Sequence, residues 1–226
     1  MTVVAADTAS EAGRGPPPEP LGRAIFERPI DDLAVALLGT RLVRRWPDAS
    51  VSAGRIVEVE AYGGQEDRAS HARSGRTPRN ATMFGPAGHA YVYLVYGLHT
   101  CLNVVGGASG TIGAVLVRAV MPEGDPSAVR ARRDRPDRPP VALERLASGP
   151  GNVGRAFGID LDLDGADMTV RGAIWLEAAG SPVPPARVVR GPRIGVAYAG
   201  PGWAELPRRF GLRGHPAISR PFPVGA

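Results

Sequence analysis

Two glutamates at alternate positions are the first residues in the chain that could do acid–base chemistry. Glu58 and Glu60 lie in the segment 55–62, whose other face is apolar: Val57, Val59 and Ala61. This period of two predicts a strand with both carboxylates on one face, ~7 Å apart. Ile56 and Tyr62 share that face, so a partly apolar cleft could raise the pKa of a carboxylate and make it a general base. Two solvated carboxylates are the alternative, and periodicity does not choose between Glu58 and Glu60.

Three of the five tyrosines are concentrated in the run Tyr91-Val-Tyr93-Leu-Val-Tyr96. Tyr91 and Tyr93 share one face of a predicted strand, and Tyr96 precedes Gly97, where a hairpin turn is expected. Aromatic core residues would give the same pattern. The functional interpretation is a surface on which a nucleobase stacks, with Tyr96 free to wedge between bases.

The segment 63–88 is polar and is predicted to form a long loop, which in a compact domain is usually functional or disordered. Its guanidinium, hydroxyl and amide groups suit contacts with phosphate oxygens. The candidates for DNA contact are Arg76, Thr77, Arg79 and Asn80. A loop that only keeps the protein in solution is the alternative. His71 lies in the same loop, where an ordinary polar contact is the alternative to a binding role.

The composition excludes several kinds of chemistry. The four histidines lack metal-ligand spacing and Cys101 is the single cysteine, so we expect no metal site and no disulfide. The glycine-rich stretches do not follow the dinucleotide-binding pattern, and no cofactor is expected. All 27 basic residues are arginine, which excludes a lysine Schiff base, and the net charge of +5 favours an acidic partner. No apolar run is long enough to span a membrane and no secretory signal is visible, so a cytoplasmic location is expected.

The elements that must position these residues fit a single compact domain. Gly and Pro number 30 and 23 among 226 residues, which predicts many turns and argues against a helical bundle. A proline-rich run predicts a flexible tail over residues 1–22, and residues 23–226 then form the domain. We expect the α+β class, with a largely antiparallel, curved β-sheet, short flanking helices and one protruding β-hairpin.

The local patterns place these elements along the chain. Strands are predicted over 40–45, 55–62, 89–96, 100–105, 114–120, 173–177, 187–189 and 193–198. A helix is expected to begin at an N-cap formed by Asp31 and Asp32 and to end at Gly39. Short helices are predicted over 141–147 and 149–158, and the arginine- and proline-rich segment 130–140 is predicted to be an exposed loop.

Three stretches, 56–71, 75–84 and 91–103, together resemble the 3-methyladenine (alkyladenine) DNA glycosylase family. They read IVEVEAYGGQEDRASH, GRTPRNATMF and YVYLVYGLHTCLN, and the resemblance extends from about Leu33 to Pro221 through shorter motifs: Gly149-Pro-Gly-Asn152, Ala156-Phe-Gly-Ile159, Arg193-Ile-Gly195 and Arg208-Arg-Phe210. The resemblance implies a DNA-inserting hairpin and excision of alkylated or deaminated purines, such as 3-methyladenine, hypoxanthine or ethenoadenine, from double-stranded DNA. The damaged nucleotide must first be flipped out of the stacked duplex.

The resemblance also assigns the catalytic groups. Glu60 matches the general base that deprotonates the attacking water, with Glu58 as its neighbour, and Arg118 matches the arginine that helps to hold that water. Since the chain contains no lysine, we expect a monofunctional enzyme that leaves an abasic site and does not nick the strand.

The remaining roles implied by the resemblance concern the flipped base and the gap it leaves. Tyr93 stacks on the base, with Tyr62 and His71 as further pocket walls. Asn103 excludes normal guanine by clashing with its exocyclic amine. Tyr96 enters the minor groove as the wedge. A monomer is expected, located in the cytoplasm and associated with the nucleoid if the protein is bacterial.

Two other classes of function remain as alternatives. One is a protein on the same scaffold that binds damaged DNA without catalysis, although the presence of Glu60 and the pocket residues argues against it. The other is a protein with no DNA role, in which the basic charge serves solubility alone.

Overall fold

The computed structural model describes residues 18–178 and 180–223. Within this part of the chain there are three α-helices: α1 (Ile30–Leu37), α2 (Ser127–Arg133) and α3 (Pro150–Ala156). There are also eight strands: β1 (Arg41–Arg45), β2 (Val51–Tyr62), β3 (Ala90–Val95), β4 (His99–Val105), β5 (Ala114–Glu123), β6 (Ile174–Glu177), β7 (Val188–Gly191) and β8 (Arg209–Leu212). No helix in these residues is long and apolar enough to cross a membrane.

The strands form one mostly antiparallel sheet, which confirms the predicted α+β class. Its order is β3-β4-β5-β2-β1-β6, and β8 pairs with both β2 and β7. Strands β3 and β4 form the predicted hairpin, and β5 lies between β4 and β2. This order brings the tyrosine-bearing hairpin and the glutamate-bearing strand to either side of β5.

Strand β2 departs from a simple alternation of faces. Ile56 and Glu58 pair with consecutive residues of β5, so Val57 is the extra residue of a β-bulge. Ile56 consequently lies in the main core with Val59 and Ala61, whereas Val57 belongs to a separate small cluster. The sequence predicted that Ile56 lies on the same face as the glutamates and that Val57 lies on the same face as Val59. Both predictions are wrong, because the extra residue of a bulge reverses the alternation of faces for the residues that precede it.

Helix α1 begins at least two residues earlier than the sequence indicates. Its N-cap is Pro29, and Asp31 and Asp32 lie in the first turn rather than at the cap. There their charges are favoured by the positive end of the helix dipole, which explains why the sequence resembles a cap at this point. The predicted end at Gly39 is confirmed, since this residue follows the C-cap Leu38 and has a φ of +81°.

Residues 1–17 of the predicted tail lie outside the described residues. The last residues of the predicted tail, however, are attached to the sheet. Pro20 forms a bridge with Glu177, and the Leu21 amide donates to the carbonyl of Leu176. Leu21 is 6% exposed, so the packed part of the chain begins before Arg23.

Three other local predictions are corrected by the structure. The first part of the predicted loop 130–140 is helical, because α2 buries Val129 and the Arg133 guanidinium donates to the carbonyl of Leu146. The segment 141–147 contains a 3₁₀ turn instead of an α-helix. The segment 193–198 is not a strand, whereas β8, which no pattern indicated, pairs with β2. The predicted helix at 149–158 is confirmed by α3.

Candidate active site

Glu60 is fully buried and each of its carboxylate oxygens is hydrogen-bonded. Oε1 accepts from the Ile194 amide at 2.6 Å, and Oε2 accepts from the Tyr62 hydroxyl at 2.9 Å. The Arg118 guanidinium lies 3.2 Å from Oε2 through Nη1. Burial raises the pKa of Glu60 above its ordinary value, although Arg118, the Ile194 amide and the Tyr62 hydroxyl each lower it. A buried carboxylate with a raised pKa is suited to act as a general base.

Glu58 is also fully buried, but its partners are different. Its Oε1 accepts from Arg118 Nε at 3.0 Å and from Arg209 Nη1 at 3.1 Å, and its Oε2 accepts from the Ser219 amide at 2.6 Å. The alternative of two solvated carboxylates on an exposed strand is therefore wrong. Glu58 is held between two guanidinium groups, whereas Glu60 contacts one guanidinium and a tyrosine of the pocket described below.

Arg118 bridges the two glutamates. Its Nε bonds to Glu58, its Nη1 to Glu60, and its Nη2 donates to the Ser219 hydroxyl at 3.2 Å. Burial lowers the pKa of Arg118, but the charges of Glu60 and Glu58 raise it further, so the guanidinium stays protonated. The structure thus brings together Glu60 and Arg118, the two residues that the sequence assigned to catalysis.

An aromatic pocket adjoins this cluster. His71 Nδ1 lies 2.9 Å from the Tyr91 hydroxyl, and the His71 ring meets the Tyr93 ring edge-on with centroids 4.5 Å apart. Asn103 is buried, and its Nδ2 donates to the carbonyl of Tyr91 at 3.0 Å. Burial and the charge of Arg79 lower the pKa of His71, which favours a neutral imidazole. All four predicted base-binding residues line one pocket, with Tyr91 and Tyr198 as further walls: Tyr62, Ala69, His71, Met83, Tyr91, Tyr93, Asn103, Ala114 and Tyr198.

The pocket is small but opens next to a larger cleft. Its volume is about 40 Å³, whereas the neighbouring cleft measures about 660 Å³. The two share Tyr62, His71, Tyr93 and Tyr198 as walls, and Arg118 lines the cleft. A base entering the pocket from the cleft would therefore pass between these shared walls.

Tyr96 stands at the tip of the β3–β4 hairpin and lines the same cleft. Its side chain is 92% exposed, and its φ of +50° is uncommon for a residue other than glycine. Gly97 follows with a φ of +68°, and Leu98 beyond it is 78% exposed. The turn therefore directs two large side chains into solvent, and that of Tyr96 lies at the cleft.

The four loop residues predicted to contact DNA occupy two kinds of position. Arg76, Thr77 and Arg79 are exposed, and Arg79 lines the cleft. Asn80 is buried, with Oδ1 accepting from the Thr77 amide and Nδ2 donating to the carbonyls of His71 and Gly75. The Asn80 side chain thus shapes the loop from inside, while its neighbours face outwards.

A buried ion pair between Arg193 and Asp67, which the sequence did not indicate, lies against Tyr62 of the pocket. Arg193 donates to both oxygens of Asp67, at 2.6 and 3.0 Å, and to the carbonyl of Ala61 at 3.0 Å. Its guanidinium lies 4.8 Å from the Tyr62 ring centroid. Arg193 belongs to a motif noted in the sequence, but a single charged residue gives no sign of burial. No group of three or more histidine, cysteine, aspartate or glutamate side chains in the described ranges could hold a metal ion.

The roles of Ile194, Arg209 and Ser219 were also missed. Two of them contribute backbone amides, which carry no residue-type signal, and all three lie more than 130 residues from the glutamate that they contact.

Comparison with known proteins assigns this chain to a family. A model of the methylpurine-DNA glycosylase (MPG) family matches residues 24–216, which include every site residue named from the sequence. This chain belongs to the methylpurine-DNA glycosylase family. The resemblance noted in the sequence is confirmed, and the protein is a DNA-3-methyladenine glycosylase, a hydrolase of N-glycosyl bonds in DNA repair.

Relatives from several organisms match about nine tenths of the chain. A protein of Anaeromyxobacter dehalogenans strain 2CP-C is 46% identical over 205 residues, which is 90% of this chain and 88% of its own. A protein of Methanoculleus marisnigri is 45% identical over 202 residues, covering 88% of this chain and 98% of its own. Both are named provisionally as 3-methyladenine DNA glycosylases.

Proposed function

We propose that this glycosylase flips an alkylated purine out of double-stranded DNA and hydrolyses its N-glycosidic bond with a water molecule activated by Glu60. One observation carries the proposal: the carboxylate of Glu60 is hydrogen-bonded to Tyr62 of the aromatic pocket and ion-paired with Arg118 of the cleft. A base seated in the pocket would thus leave its sugar beside Glu60.

The chemical step needs a base on the face of the sugar opposite the leaving purine. Glu60 takes a proton from the water while the oxygen of the water forms a bond to C1′. The C1′–N bond breaks, and its electron pair leaves with the purine. Arg118 stays charged and helps to hold the water and the carboxylate. A raised pKa makes Glu60 a stronger base than an exposed carboxylate.

Recognition of the base falls to the pocket walls. Tyr93 stacks on the flipped purine, with Tyr62 and His71 on other sides, and the neutral imidazole of His71 forms a hydrogen bond with the nucleotide. Asn103, fixed by its bond to the Tyr91 carbonyl, excludes guanine by opposing its exocyclic amine. Cationic 3-methyladenine, hypoxanthine and ethenoadenine lack that amine at the same position and are the expected lesion classes.

The DNA duplex is held around the cleft. Tyr96 enters the minor groove and fills the gap left by the flipped nucleotide, for which its exposure at the hairpin tip is suited. Arg76, Thr77 and Arg79 contact phosphates, and Asn80 keeps their loop in shape. The enzyme is expected to act as a monomer, without a cofactor.

The enzyme is also expected to be monofunctional. A strand-nicking mechanism through a Schiff base usually uses the amine of a lysine, and the chain contains no lysine. The product is then an intact strand with an abasic site.

The test is incubation with duplexes that each contain one lesion, followed by alkali. Breaks that form only after alkali support excision without lyase activity. Breaks before alkali would contradict the monofunctional assignment. Tight binding without breaks for any lesion would favour a damage-binding protein without catalysis and would overturn the proposal.

A further inference from the structure

Glu58 is the buried carboxylate for which the reaction gives no role. It lies on the other side of Arg118 from Glu60, and its three contacts go to Arg118, Arg209 and the Ser219 amide. Glu58 pairs with Nε of the Arg118 guanidinium, whereas Glu60 pairs with Nη1. Because the guanidinium is planar and rigid, fixing Nε also fixes the direction of both Nη groups.

The same carboxylate anchors the last described segment of the chain. Arg209 donates to the carbonyls of Arg220 and Pro221 at 2.9 and 3.1 Å, and Arg118 Nη2 bonds to the Ser219 hydroxyl. Ser219 and Arg220 form part of the cleft wall. Glu58 thus joins the proposed catalytic arginine to a wall of the DNA-binding cleft.

The buried cluster is balanced in charge, with two carboxylates against the guanidiniums of Arg118 and Arg209. Eight titratable groups face Glu60 from the surrounding elements: Glu58 and Tyr62 of β2, Tyr93 of β3, Cys101 of β4, Arg118 of β5, Arg209 of β8, and Arg193 and Tyr198 of the connecting loops. Arg193 is already neutralised by Asp67. Loss of the Glu58 charge would therefore leave Glu60 as the single carboxylate for Arg118.

We propose that Glu58 is a positioning residue for excision, which holds Arg118 by Nε and so prevents it from pairing fully with Glu60. This inference rests on the proposed roles of Glu60 and Arg118. With Glu58 in place, Arg118 is shared between two carboxylates and Glu60 remains available as a base. Without it, Arg118 turns towards Glu60, and both the closer cation and the lost neighbouring anion lower the pKa of Glu60.

The test is the pH dependence of the single-turnover excision rate for Glu58→Gln on methylated duplex DNA, measured as release of 3-methyladenine. This base is cationic and leaves without protonation, so the acid limb of the profile reports the general base. We expect the limb to move to lower pH, because a base with a lower pKa stays ionised in more acid solution. The plateau rate should fall about 10- to 100-fold, since the base is weaker. Rates are normalised to the active fraction, titrated with abasic-site DNA.

Two further variants separate positioning from stability. Glu177→Gln removes another buried carboxylate, which accepts from Arg41 and Trp175 on the far side of the sheet. It should lower the melting temperature but leave the acid limb in place. Arg209→Gln removes a cation from the Glu58 cluster and should move the limb to higher pH. These opposite shifts provide a test even where Glu58→Gln does not fold.

The outcomes are distinguishable. An acid limb at the wild-type pH in folded Glu58→Gln, or in Arg209→Gln, would overturn the positioning role. Glu60→Gln tests the underlying proposal in the same assay. Activity in that variant would overturn the proposed function itself, whereas an inactive Glu60→Gln beside an unshifted Glu58→Gln would overturn the positioning role alone.

Discussion

The hydroxyl of Tyr62 donates a 2.9 Å hydrogen bond to the carboxylate of Glu60, two residues earlier on the same strand. Residues two apart on a strand share a face, so the backbone alone places this aromatic ring beside the carboxylate. The bond joins the wall of the base pocket to the proposed general base. Movement of Tyr62 when a base enters would therefore change the surroundings of Glu60 directly.

Tyr62→Phe is expected to shift the pH dependence of excision. The Tyr62 hydroxyl bond lowers the pKa of Glu60, so its removal should raise that pKa. A base with a higher pKa is ionised only at higher pH, and the acid limb should move upwards. The measurement is the single-turnover rate of 3-methyladenine release between pH 5 and 8. A limb that moves to lower pH would show that the hydroxyl acts in another way.

Glu60→Gln is expected to lower the excision rate roughly 10²- to 10⁴-fold, the usual contribution of a general base. Binding to lesion-containing DNA should persist, because glutamine has nearly the same shape as glutamate and the buried side chain contributes no exposed surface. The excision rate is measured from strand cleavage after alkali treatment, and the affinity for DNA is measured by fluorescence anisotropy. Wild-type rates in Glu60→Gln together with an inactive Glu58→Gln would transfer the base role to Glu58.

Tyr96→Ala is expected to impair base flipping without destabilising the fold. Loss of one aromatic contact with the bases is worth about 1–3 kcal/mol, which corresponds to roughly 5- to 150-fold in excision. The side chain is 92% exposed, so the melting temperature should stay unchanged. The control is Val170→Ala, at an apolar side chain that is 54% exposed and lines neither the pocket nor the cleft. Equal losses in both variants would mean that the hairpin tip has no particular role.

Asp67→Asn is expected to destabilise the protein by about 3–5 kcal/mol, because it leaves the guanidinium of Arg193 without its buried counter-charge. Burial alone would raise the pKa of Asp67, but the hydrogen bond from Arg193 and the Gly63 amide bring it below the ordinary value. A lowered folded-state pKa contributes stability above the unfolded pKa of about 4, and this stability is lost as the pH falls through the folded value. Urea unfolding at pH 7 and at pH 3 should show a smaller difference between variant and wild type at pH 3. A difference independent of pH would contradict the charge argument.

Binding to DNA is expected to weaken steeply with salt, since phosphate contacts release counterions. Replacing Arg79 by Gln should weaken binding to damaged and undamaged duplexes alike and reduce the slope of log K against log salt by about 1. The control is Arg213→Gln, whose guanidinium donates to the carbonyl of Ala186 and which lines no part of the described cleft. An unchanged slope in Arg79→Gln would place this residue outside the phosphate contacts.

Local patterns in the sequence were enough for most of the sheet. The hairpin of β3 and β4 could be predicted because strand alternation and a glycine turn are short-range signals. Strand β8 could not, because its four residues carry no alternation and depend on pairing with β2 and β7. The bulge at Val57 was also hidden, since an extra residue in a strand is visible only against its partner.

The sequence by itself determined the chemical inventory of the site: two glutamates at strand spacing, clustered tyrosines, arginine as the only strong cation, and no lysine amine. Only the tertiary structure decided how the two glutamates differ. Glu60 meets Tyr62 and the Ile194 amide, 134 residues away, whereas Glu58 meets Arg209, 151 residues away. The physical reason is that burial and neighbouring charge set the properties of a carboxylate, and both come from parts of the chain that only folding brings together.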